Sequence, residues 1–156
     1  MGWSKEELSA KIKTNDHLGI EKSSVVSLNA SPVATQRFFT LLVDHLPDSK
    51  LSLNARLHWT AKRERTADAK EEIYYLAKER MANWKAPERA VISYTYFVTT
   101  YRPRDLDNLI SSCKAWQDGL VEVGVLRADD CWHLSFGRIQ VLKANRDQTK
   151  IVIEGV

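Results

Sequence analysis

Cysteine is scarce in this chain. Its two copies, Cys113 and Cys131, have neither the number nor the spacing of a disulfide framework or a zinc site, and the lone Cys131-x-His133 pair is not a ligand set. The expectation is two reduced thiols in a cytoplasmic protein. Long apolar runs are missing as well: nothing approaches the roughly 18 residues a membrane helix needs. The opening "MGWSKEELSAKIKTNDH" has no continuous apolar core of the kind a signal peptide carries. Proline and glycine are sparse, at 4 and 6 copies, which excludes collagen-like and low-complexity chains. A large excess of one charge is absent too. The net charge of +3 permits a polyanionic partner without requiring one.

What is present is an ordinary folding composition, 44% hydrophobic and 28% charged over 156 residues, enough for one domain with a real core. Residues 1 to 35 read as an N-terminal extension. "SKEELSAKIK" offers a short helix with Ser4 as its cap and Glu7 three residues on, and the small polar stretch after it has no helical period. The domain proper is expected over 36–156.

"RFFTLLVDHL" predicts a strand closed by a turn at "PDSK". A helix is expected from about Thr66, with Ile73, Leu76, Ala77, Met81 and Trp84 on one side and Pro87 as its stop. "RAVISYTYFVTTY" is thick with β-branched and aromatic residues and predicts a strand. A second helix is expected from about Asp105 to Val121. "HLSFGRIQVLKA", the turn "NRDQ" and "TKIVIEGV" predict a hairpin. The order β-α-β-α-β-β makes a small α+β domain.

The segment "YRPRDLDNLISSCKAWQDGLVEVGVLRADD" concentrates the chemistry. At about 100° per residue, Leu106, Leu109, Ile110, Cys113, Trp116 and Leu120 form one apolar stripe, while Asp107, Ser111, Lys114 and Asp118 share the opposite flank. Taken alone, Asp105 and Asp107 read first as helix-capping acids, and Lys114 with Asp118 as a surface pair. Gly124 allows the chain to turn back, which is expected to bring Asp130 near Asp105 and Asp107. Carboxylates gathered there repel unless a cation offsets them, and oxygen-only donors favour Mg²⁺ or Mn²⁺.

The D-x-D-N run of Asp105 to Asn108, the helical Lys114, the D-G-L from Asp118, the G-V-L from Gly124 and the Asp129–Asp130 pair together resemble the signature of the RusA family of Holliday-junction resolvases. "LSLNARLHWTAKRER" is similar to that family's N-terminal loop, and the likeness runs in order from about residue 38 to 153. The resemblance implies a Mg²⁺-dependent homodimer, with Mn²⁺ as a substitute, that nicks four-way DNA junctions symmetrically in recombination and repair. It assigns Asp105, Asp107 and Asp130 as metal ligands, with Asp129 exchangeable for Asp130, and Lys114 as the catalytic lysine. Asn108 and Asp118 take supporting places. In the best-known members the lysine stands one turn after D-x-D-N, where this chain has Ser111.

Arg56, Lys62, Arg63 and Arg65, with His58 and Trp59 among them, and Arg102 and Arg104 beside the acids, are expected to contact DNA phosphates. An exposed tryptophan there is suited to stacking on a base; a buried one signals a solvated face with a core anchor. A less selective nuclease of branched DNA, a non-catalytic DNA-binding module and a protein-interaction scaffold are the competing readings.

Overall fold

A computed structural model of the protein describes residues 36–156. The reading of residues 1 to 35 as an extension, with the Ser4 cap, lies outside them. The first strand, β1 (Phe38–Val43), alternates strictly: Phe39, Leu41 and Val43 are buried while Phe38, Thr40 and Leu42 face outward. A run that reads as uniformly apolar is therefore a strand with one covered face. Asp48 then accepts a hydrogen bond from the Lys50 N–H at 2.9 Å and caps a short 3-10 turn, Ser49–Leu51.

Helix α1 spans Trp59–Lys78 and begins seven residues before the expected Thr66. Its first two turns carry Lys62, Arg63, Glu64 and Arg65, all exposed, so they present no apolar stripe from which a period could be read. These residues are nonetheless good helix formers. The helix also ends well before Pro87. Met81 and Trp84, expected on its apolar stripe, follow it in turns, where Trp84 is buried and donates its indole N–H to the Val125 carbonyl at 2.9 Å.

Strand β2 (Ala90–Val98) buries Ala90, Ile92, Tyr94, Tyr96 and Val98. The single helix expected from Asp105 to Val121 is two, α2 (Leu106–Ser112) and α3 (Lys114–Glu122). The break has a local cause. Ser111 and Ser112 both donate their hydroxyls to the Asn108 carbonyl, at 3.2 and 2.7 Å, and Cys113 bonds three residues back to Ile110 at 3.0 Å. Serine back-bonding of this kind competes with the regular ladder and bends it. Cys113, Trp116 and Leu120 of the expected stripe are fully buried, Leu109 and Ile110 half-buried, and Leu106 is exposed.

Gly119 sits where α3 crosses α1. A Cβ there would stand 2.3 Å from Ile73 Cγ2 and 2.7 Å from the Lys70 carbonyl, so only glycine allows this approach. After α3, Gly124 takes a φ of 86° and turns the chain, and Val125 and Leu126 both bond back to the Leu120 carbonyl.

Strands β3 (Leu134–Lys143) and β4 (Gln148–Gly155) do not form the expected hairpin. The sheet order is β1-β4-β2-β3: β2 lies between them, parallel to β3 and antiparallel to β4, and β4 also pairs antiparallel with β1. The "NRDQ" link passes over the end of β2 instead. Ala144 donates to the Val98 carbonyl, and Asp147 accepts from the Thr99 N–H at 2.7 Å and its hydroxyl at 2.9 Å. The domain is α+β in the expected element order, with its second helix in two pieces. No described helix is long and apolar enough to cross a membrane.

Candidate acidic site on the 105–130 segment

The polar flank of α2 and α3 carries two groups of charged side chains. At the start of α2, Asp105 is the N-cap: one of its oxygens accepts the Asp107 N–H at 3.1 Å and the other the side-chain amide of Asn108 at 3.2 Å. Capping of this kind is worth about 1 kcal/mol. Asp107 is different. It is exposed, and among the described residues its carboxylate has no hydrogen-bond or ion-pair partner. Asn108 also receives a bond, its carbonyl oxygen accepting from the side-chain amide of Asn54 at 3.0 Å. Nearby the Leu53 N–H donates to the Ser111 hydroxyl at 3.3 Å.

Two helical turns on, Lys114 lies between Asp118, at 2.5 Å, and Asp129, with which it forms a short ion pair. Partial burial pulls the lysine pKa down, but the hydrogen bonds and charges of the two aspartates outweigh it, and the net position is above the ordinary lysine value. The bond from Lys114 in turn holds Asp129 below the usual carboxylate range, against some desolvation. Lys114 is thus a cation at any physiological pH, fixed in place from two sides. The turn at Gly124 brings this about by returning Asp129 to the face that Lys114 and Asp118 share.

Asp130 points elsewhere. Its oxygens accept from His133 Nδ1 at 2.8 and 2.9 Å and from the Trp132 N–H at 2.8 Å, and its carbonyl accepts from Leu134 as β3 begins. The bond from His133 leads the causes that lower its pKa. Of the acidic pair it is therefore Asp129 that meets the lysine, while Asp130 builds the turn into β3. Asp105, Asp107 and Asp130 are not brought into one group: among the described residues no cluster of three or more His, Cys, Asp or Glu is gathered to hold a metal ion.

The cations divide as well. Arg56, Lys62 and Arg63 are exposed, and so is Trp59, at 67%, which removes the buried-tryptophan alternative. Arg65 is committed to Asp48 at 2.7 Å, so it holds the 3-10 turn in place. Arg102 is exposed. Arg104 is half-buried, donating to the Thr100 hydroxyl at 3.3 Å, while its buried Nε has no partner among the described residues. Both arginines line a cleft of about 380 Å³ with Leu46, Pro47, Asp105 and Asn108.

Two contributors escaped the reading of residues. Asn54 sits in a loop with no periodicity to connect it with Asn108, and His133 showed no pattern beyond its nearness to Cys131. The chain matches no protein-family model and no curated protein sequence.

Proposed function

We propose that the protein is a divalent-metal-dependent endonuclease that resolves four-way DNA junctions, as the RusA-like run of residues implies. The observation that carries this reading is the pairing of an uncommitted carboxylate, Asp107, with a lysine two turns further along the same flank that Asp118 and Asp129 hold in position.

The donors suit Mg²⁺, or Mn²⁺ in its place, in kind: carboxylate oxygens, one of them unpartnered at the surface. Asp105 and Asp107 would hold the ion; the third acid that the resemblance implies, Asp130 or Asp129, does not stand with them among the described residues. When bound, it supplies Lewis acidity to the scissile phosphate and lowers the pKa of water. Lys114 stabilises the negative charge that grows on the phosphate in the transition state. Asp118 and Asp129 keep its ammonium from wandering. Through its cap, Asp105 would tie a bound ion to the α2 backbone. Arg102 and Arg104 bind the DNA backbone beside the acids, and Arg56, Lys62 and Arg63 bind it further out. Trp59 offers a ring for an unstacked base. A C₂ homodimer matches the two-fold symmetry of a junction and makes both cuts. The setting for such work is the cytoplasm of a bacterial or phage-infected cell.

One observation favours a second reading. Asp105 and Asp130 each have a complete local structural role, as expected of a DNA-binding module without catalysis. A synthetic four-way junction and a matched duplex, incubated with Mg²⁺ or EDTA, separate the two. Paired nicks in the junction alone, lost with EDTA and with Asp107→Asn, support the resolvase. Nicks at flaps and forks as well point to a broader nuclease. Salt-sensitive binding without cuts under every metal condition leaves only the binding module.

A further inference from the structure

We propose that a second cleft lined by the 101–104 loop is a mononucleotide site, taking one base together with its phosphate. This deepens the nucleic-acid side of the reading above and needs no metal ion.

The loop between β2 and α2 lines two clefts. One is the cleft that includes Asp105; the other, of about 350 Å³, opens where β2 and β3 end. Its floor is apolar, with Val98 buried and Val141 half-buried. Arg102 and Arg104 come to it from the loop, and Lys143 from β3. None of the three has an ion-pair partner among the described residues. Asp147 is near enough to feel both arginines, but its carboxylate is engaged by the Thr99 N–H and hydroxyl, and the cations outnumber it. Tyr101 lines the same cleft and is 90% exposed, an aromatic ring that the described fold leaves in water.

The walls are fixed before any ligand arrives. Thr99 is tied to Asp147, Ala144 to the Val98 carbonyl, and Arg104 donates to the Thr100 hydroxyl at 3.3 Å. Arg104 still keeps a buried Nε without a partner among the described residues, so the protein does not exhaust this guanidinium.

Together these features specify the ligand's chemistry. A bare anion gains from the cations but leaves the apolar floor and the Tyr101 ring in water. An apolar molecule covers the floor and leaves the cations unanswered. A nucleotide meets both needs, its base lying on the floor against Tyr101 and its phosphate reaching the cations. The volume is near the small end of ligand sites, about 300–1,000 Å³, which suits one such unit. Its source is either a nucleotide of a DNA strand that passes the loop or a free mononucleotide.

NMR titrations of the metal-free protein with dAMP, with inorganic phosphate and with a deoxyadenosine trinucleotide test this. Here dAMP should move the Tyr101 ring signals and the backbone amides of Val98, Val141 and Lys143 together, while phosphate leaves the Tyr101 ring alone. Tyr101→Ala, at an exposed position with no part in the core, should weaken dAMP binding by about tenfold and leave phosphate binding unchanged. Lys143→Ala should weaken dAMP binding by about fivefold. Tighter binding of the trinucleotide than of dAMP, falling with salt, gives the site to a DNA strand. Equal affinity gives it to a free nucleotide, and both results sustain it. Equal responses to dAMP and phosphate, or dAMP shifts spread over Arg56, Lys62 and Arg63 and indifferent to Tyr101→Ala, would overturn it. The endonuclease reading fails separately: a junction left uncut by wild type sinks that reading while the dAMP response stands.

Discussion

The start of α2 and the middle of α3 are both acidic, yet they use their acids in opposite ways. At Lys114, one ammonium is shared by two carboxylates and offsets half of their charge. Asp105 is held only by amides, which carry no charge, and the Asp107 carboxylate has no partner among the described residues, so the negative charge there is not offset. The lesson is that an acidic flank is not one object. Its charge is left whole where neutral donors hold the carboxylates, and is reduced where a cation does.

The strongest way to test that contrast is to remove the cation. Lys114→Ala should slow single-turnover nicking by about 10²- to 10³-fold, the usual loss of a charge-stabilising donor. Lys114→Arg should recover only part of it, because a planar guanidinium does not reproduce a point charge between two acids. Next comes the packing that places α3. Gly119→Ala forces a methyl into Ile73 and the Lys70 carbonyl, and should cost about 1–3 kcal/mol in denaturant unfolding.

A comparison of the adjacent aspartates sharpens the assignment. Asp129→Asn should reduce nicking more than Asp130→Asn, since only Asp129 holds the lysine, and should lower the Lys114 pKa in an NMR titration. Its stability cost should stay within about 1 kcal/mol, the pair being partly exposed. The reverse ranking in nicking would place Asp130 at the site.

The smallest effect is one of pH. Both ring nitrogens of His45 face acceptors, the Leu46 carbonyl at 2.7 Å and Glu72 at 2.8 Å, an arrangement that suits the imidazolium. Burial opposes the charge, but Leu46, Glu72 and nearby Asp44 outweigh it and raise the pKa above the ordinary 6.5. A raised folded pKa contributes stability that is complete below 6.5 and is lost as pH rises through the folded value. Glu72→Gln should bring the His45 titration midpoint down and flatten that dependence.

Much of the fold was legible because the strands announce themselves: residues 90–98 are nearly all β-branched or aromatic, and the α3 stripe of Cys113, Trp116 and Leu120 is one the angle arithmetic identifies. The early turns of α1 were not, since a helix that covers nothing has no apolar period. The β3–β4 link misled for a different reason. Its polar residues encode a reversal of direction, which a hairpin and a connection over an intervening strand both need. At the site, spacing was sufficient to unite Lys114 with Asp118; the glycine turn was expected to carry Asp130 to Asp105 and Asp107, and it delivers Asp129 to Lys114 instead. Asn54 was out of reach, because nothing local marks a contact with a residue 54 positions away.

The placement of β2 between β3 and β4 also dictates an order of events in folding. The strand that joins β1 to β2 is the last of the four to be made, so β1 has no hydrogen-bonding neighbour in the sheet until residues 148–155 arrive. Helix α1 and the β2–α3–β3 crossover can assemble earlier, but β1 must wait through more than a hundred residues of chain. Contacts that span so much sequence are slow to form. On a ribosome, that leaves the inward Phe39, Leu41 and Val43 without their sheet neighbour until synthesis is nearly done.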